Sequence, residues 1–144
     1  VKDVLAISNI FLLNHEEAFQ FTGEKDIPTA AHKLRSAGPE VVVIKMGAGG
    51  SYLSFKDMAF YIPVFPVEKV IDPTGAGDSF AGGFMGCLAQ PGEPDFVKAV
   101  ITGSAIASYC VESFGPESLL NVTRKDLDGR IITIEGHMSA EESD

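Results

Sequence analysis

The chain has 144 residues, of which 45% are hydrophobic and 22% charged, with a formal net charge of −9. That balance fits a soluble globular protein rather than a disordered one and suits one modest domain with a real core. The acidic excess argues against nucleic acid or an anionic membrane as the main partner. Any anionic ligand therefore needs a locally favourable site, built from backbone N–H groups, a metal ion or a few cations.

Cys87 and Cys110 both fall in apolar helical stretches and read as buried free thiols rather than as a zinc site or a disulfide framework. No signal-peptide pattern and no apolar run near the ~20 residues of a membrane span is found, so a reducing cytoplasm is expected.

Taken in order, residues 1–8 read as the last turns of a helix, and the apolar run 10–13 as a buried parallel strand. Asn14 and Glu17 then open a second helix that Gly23 stops. Their spacing is that of a capping box, with Asn14 capping and Glu17 reaching back to its N–H. Residues 28–37 form the next helix, with Pro28 in its first turn and Gly38 past its end. The continuous β-branched run 41–44 marks a strand buried on both faces. Lys45, Gly47, Gly49 and Gly50 follow it, and 51–55 with 59–64 suggest a hairpin. The glycine loop fails as a dinucleotide fingerprint, because Tyr52 stands where the third glycine belongs and no helix follows. It fails as a Walker loop for want of Gly-Lys-Ser/Thr, and a plain tight turn remains open.

Residues 67–71 read as a strand leading into Asp72-Pro73-Thr74-Gly75-Ala76-Gly77-Asp78-Ser79-Phe80 and an apolar helix over 80–88. Asp72 and Pro73 could be a helix N-cap and first position, with Asp78 an ordinary acid near the positive helix end. That account puts two glycines inside the first turns, each costing ~1 kcal/mol against alanine. A start nearer Ala76 removes the difficulty. Small residues at such a junction let N–H groups approach an anion closely. The following carboxylate, Asp78, makes sense if the turn holds a phosphoryl group while Asp78 takes a proton from the attacking hydroxyl. Gly82, Gly83 and Gly86 suit close packing of this helix on the sheet or on a neighbouring helix. A further helix is expected over 95–111 and a last one over 123–134, where Thr123 and Asp126 again have capping spacing. The polar, acidic residues 135–144 read as a disordered tail.

The run from Asp72 to Phe80 resembles, position by position, the signature of the ribokinase (PfkB) family of carbohydrate and nucleoside kinases. The resemblance implies a ribokinase-like three-layer α/β/α fold with a mainly parallel sheet, of which this chain would be the C-terminal portion, residues 1–134. The family fold is roughly twice as long, so the chain is expected to be a piece of a longer parent, with the acceptor-binding residues upstream. By the same resemblance the Gly75, Ala76 and Gly77 amides form the anion hole and Asp78 is the catalytic base. Asn14 and Glu17 match an Asn-x-x-Glu motif that helps hold Mg2+, Glu17 through water. Lys45, Gly47 and Gly50 become ATP-site candidates, and Ala105, Ala107 and Ser108 could wall the adenine. Asp72 and Thr74 match positions that in several members bind a monovalent cation such as K+. Implied partners are ATP and a small sugar or nucleoside, without nucleic acid or membrane, and a homodimer is allowed.

The implied activity is ATP-dependent phosphoryl transfer to a hydroxyl. A rival is a nucleotide-binding half-domain, inactive alone. A serine hydrolase built on Gly77-Asp78-Ser79-Phe80-Ala81 lacks the final glycine of that motif. A kinase-like regulatory protein would usually lose the acid that is present here as Asp78.

Overall fold

In the computed structural model, residues 2–114 and 117–142 are described, with side chains up to 138. The chain divides into two compact units, the first ending at Tyr61 and the second starting at Ile62.

The first unit opens with α1 (Lys2–Ile7) and β1 (Ile10–Asn14). Helices α2 (His15–Thr22) and α3 (Ile27–Ser36) follow and return the chain to β2 (Val41–Lys45). Strands β1 and β2 are parallel, with Asn14 opposite Lys45. Two helices give the chain the length that a parallel crossover needs. Gly23 ends α2 in the left-handed conformation, its N–H bound to the Phe19 carbonyl. Asp26 caps α3 and Pro28 lies in its first turn.

Val41, Val42, Val43 and Ile44 are all buried: β2 is paired along both edges, and Val42 and Ile44 pack into a core with residues of α2 and α3. Leu13, Ala18, Ala31, Leu34, Val42 and Ile44 form the heart of this unit's core. After β2 the chain turns at once into β3 (Ser51–Phe55), which runs antiparallel to β2. Strand β4 (Met58–Ile62) completes the order β1-β2-β3-β4. The sheet is therefore mixed rather than mainly parallel. The five residues between β2 and β3 are too few for a crossover, so that pair must be antiparallel.

The second unit differs from expectation at once. Residues 67–71 are not a strand. Pro66 and Pro73, which have no N–H to give a ladder, bracket this stretch closely. Ile71 and Asp72 instead donate their N–H groups to the Val111 carbonyl, at 2.7 and 3.2 Å. Helix α4 (Ala76–Leu88) begins at Ala76, which keeps Gly75 out of the helical turns. Helix α5 (Phe96–Cys110) is capped by Asp95, whose carboxylate accepts from the Lys98 N–H. Helices α4 and α5 pack at glycine: a Cβ on Gly83 would lie 2.9 Å from the Gly103 Cα.

A short helix α6 (Glu117–Leu120) precedes α7 (Arg124–Glu142). Thr123 and Asp126 exchange both capping bonds at the start of α7. This helix runs on through Glu142 in place of the disordered tail expected from residue 135. Glu135, Met138, Ala140, Glu141 and Glu142 are good helix formers, and no proline interrupts them. Ser143 and Asp144, the end of that expected tail, lie outside the described residues. Among the described residues no helix is long and apolar enough to cross a membrane.

Candidate active site

In the second unit the signature run forms the entry to α4. Gly75 is the N-cap and has φ +81°. That is the left-handed region, where glycine pays no Cβ penalty. Among the described residues no side chain caps α4. The Ala76 N–H bonds the Pro73 carbonyl at 3.2 Å. Gly77 and Asp78 occupy the next two helical positions, where N–H groups have no acceptor within the helix. Such a helix start carries partial positive charge and suits an anion. Asp78 is exposed beside it.

The turn before α4 is held from within and from behind. Asp72 Oδ1 accepts from the Thr74 N–H at 2.9 Å. Bonds from the Thr74 hydroxyl and N–H hold the Asp72 carboxyl below the usual aspartate range. The buried Cys110 thiol donates to the Thr74 carbonyl at 3.4 Å. Ile71 and Asp72 hang from Val111, at the end of α5.

Cys110 and Val111 were not identified as site residues from the sequence, where Cys110 reads as a buried free thiol only. It is buried and free, and it also supports the turn. Nothing local could have linked residues 36 positions apart. Ser108 is buried, and its hydroxyl bonds both the Ala105 carbonyl and Arg130. Ala105 is buried as well, while Ala107 is half-buried. Ser79 lies within the first turns of α4, its N–H bound to the Gly75 carbonyl at 2.9 Å. It does not stand on the strained strand-to-helix elbow of a hydrolase nucleophile.

The first unit gathers its own set at the C-terminal ends of β1 and β2. The capping box is complete: the Glu17 N–H donates to Asn14 Oδ1 at 2.8 Å, and the Asn14 N–H to Glu17 Oε2 at 3.0 Å. Lys45, half-buried, ends β2 beside Asn14. His15, which the sequence reading passes over, sits with Nδ1 3.4 Å from the Lys45 carbonyl. Gly47 and Gly50 both have positive φ, +57° and +87°. The Met46 N–H and Gly50 carbonyl close this loop at 2.7 Å.

Asn14, Glu17, Lys45, Gly47 and Gly50 thus share one end of the first unit. Asp72, Thr74, Gly75, Ala76, Gly77 and Asp78 share one helix entrance in the second. Among the described residues no three His, Cys, Asp or Glu side chains gather to hold a metal ion directly. Glu17 is exposed and the cap engages its Oε2, a donor set that fits a hydrated Mg2+ rather than a bare one.

The pattern of the pfkB family of carbohydrate kinases matches residues 1–123. The ribokinase of Haemophilus influenzae is 33% identical over 131 residues, which cover 88% of this chain and 42% of that protein. The cytidine kinase of Thermococcus kodakarensis is 36% identical over 88 residues, 59% of this chain and 31% of that protein. Among solved structures, aminoimidazole riboside kinase from Salmonella enterica, complexed with aminoimidazole riboside and an ATP analog, aligns with a TM-score of 0.78. It is 26% identical and covers 90% of this chain, and 44% of its own length is covered. Ribokinase from Arabidopsis thaliana, complexed with ribose and ATP, aligns at 0.79 with 26% identity, over 91% of this chain and 43% of that one. The fold is the α/β fold of these ribokinase-like kinases, and the chain spans less than half the length of each.

Proposed function

The chain belongs to the pfkB family of carbohydrate kinases, and from that premise we propose that it carries the phosphoryl-transfer site of an ATP-dependent kinase acting on a hydroxyl of a sugar or nucleoside. The observation that supports this most directly is the entrance to α4. An uncapped helix start follows a left-handed Gly75, and an exposed carboxylate, Asp78, stands two residues beyond Ala76.

The Gly75, Ala76 and Gly77 amides, that of Ala76 on leaving the Pro73 carbonyl, stabilise negative charge as it develops on the moving phosphoryl group. Asp78 accepts the proton of the acceptor hydroxyl. Carboxylates are weak bases at neutral pH, but a loose transition state lets the proton leave late. Asn14 and Glu17 would hold the shell of a hydrated Mg2+, which would supply positive charge against the phosphates of the nucleotide. Lys45, Gly47 and Gly50 line the nucleotide. Asp72, ionised and fixed by Thr74, together with Thr74 itself, offers oxygen ligands to a monovalent cation such as K+. The free thiols of Cys87 and Cys110 and the need for ATP support a cytoplasmic setting.

A second reading is favoured by the length covered: this chain alone binds nucleotide without turning over an acceptor, because the acceptor site is built elsewhere. ADP release with a panel of ribose, fructose, cytidine and adenosine separates the two, run on this chain and on one extended to the length of its relatives. Turnover by the longer chain alone supports the second reading. In whichever chain is active, Asp78→Asn should lower kcat at least ~10³-fold while ATP still binds. Near-normal kcat in that variant would overturn the base assignment.

A further inference from the structure

We propose that Arg130, on α7, is a positioning residue for the signature turn. This rests on reading that turn as the phosphoryl-binding site. The Arg130 side chain is only 16% exposed and is paired with Glu112. Its Nη1 donates to the Ser108 hydroxyl at 2.8 Å. The guanidinium lies over the Tyr109 ring, 3.5 Å from its centroid, and over the Phe65 ring at 4.3 Å.

Ser108, Tyr109 and Glu112 flank the two residues that hold the turn. Cys110 supports the Thr74 carbonyl, and the Val111 carbonyl takes both the Ile71 and Asp72 N–H groups. Phe65 belongs to the irregular stretch that leads into those residues. One guanidinium therefore grips the end of α5 and the incoming chain together. Three modest bonds could not hold Gly75 and its neighbours to the tolerance catalysis needs if the end of α5 frayed, as helix ends ordinarily do. A planar cation that both hydrogen-bonds and stacks can suppress that fraying. A lysine supplies the charge but not the plane.

Amide hydrogen exchange on the intact chain tests this, comparing wild type, Arg130→Ala, Arg130→Lys and Arg124→Ala. Arg124 pairs with Asp128 on the same helix but is exposed, and its loss should leave the turn unchanged. Arg130→Ala should speed exchange at Ile71 and Asp72 at least ~10-fold, with Arg130→Lys between it and wild type. Should Arg130→Ala fail to fold, Arg130→Lys read at the same two amides decides. Unchanged exchange there would overturn the positioning role, whatever the activity. In the active enzyme, kcat per folded molecule should fall while KM for the acceptor stays. Loosened amides with an unchanged kcat would refute the link to phosphoryl transfer, and with it the reading of the turn, while leaving the mechanical link intact.

Discussion

Replacing Gly103 by alanine would place a methyl group 2.6 Å from the Phe80 carbonyl oxygen and 3.3 Å from both the Phe80 ring and the Phe84 nitrogen. The closest of these is backbone and cannot rotate away. Restoring ordinary contact at 3.4 Å requires α4 and α5 to separate locally by about 0.8 Å. Overpacking of this kind costs about 1–3 kcal/mol, and a rigid backbone contact belongs at the upper end. Alanine's higher helix propensity returns about 1 kcal/mol. The net expectation is a loss of about 1–2 kcal/mol, a 5- to 30-fold rise in the unfolded fraction. Gly82 and Gly86 lie on the same helix as Gly83, yet a Cβ on either meets nothing within 4 Å. Gly82→Ala and Gly86→Ala should therefore each stabilise, by up to about 1 kcal/mol. Urea unfolding followed by far-UV circular dichroism reads all three as midpoint shifts at constant slope. A Gly103→Ala midpoint at or above wild type would refute this account of the α4–α5 contact. So would Gly82→Ala falling as far as Gly103→Ala.

Two further predictions concern the ends of the elements. Asn14→Ala should cost about 1 kcal/mol in urea unfolding, since it strips the Glu17 N–H of its acceptor. Glu17→Gln preserves the box, because glutamine serves equally there. It should leave stability unchanged but raise the Mg2+ concentration needed for half-maximal turnover in the active enzyme. A fall in stability with no change in Mg2+ dependence would reduce Glu17 to a cap. The Asp72 carboxyl, held low by the Thr74 hydroxyl and N–H, should titrate below a normal aspartate in ¹³C NMR. Because the folded state lowers its pKa, the bond contributes fully above the unfolded value of about 4 and is lost as pH falls through the lowered one. Thr74→Val should move the titration back up, and no movement would show that the hydroxyl is not the cause.

Much of this chain could be read from neighbours in sequence. The capping pairs Asn14 with Glu17 and Thr123 with Asp126 both form, three residues apart. The start of α4 at Ala76 follows from keeping Gly75 out of helical turns. The buried strand β2 follows from four consecutive β-branched residues. All of these depend on interactions within a few positions, where spacing dictates geometry. The glycines of α4 already exceed that reach. Their number suggested close packing, but only the partner helix decides that Gly83 meets α5 while Gly82 and Gly86 face open space.

The same limit explains the strand expected over 67–71. Its residues suit a ladder, yet prolines bracket the stretch and the Val111 carbonyl takes the Ile71 N–H at its end. It also explains why the resemblance could name Gly75 and Asp78 but not what holds them. The order of small residues and the acid is a local property of the chain, written in consecutive letters. The support behind them comes from the end of α5 and from Arg130 on α7, brought in from distant sequence. Hydrogen bonds and ring contacts do not depend on sequence separation, so only the folded chain could decide which residues make them.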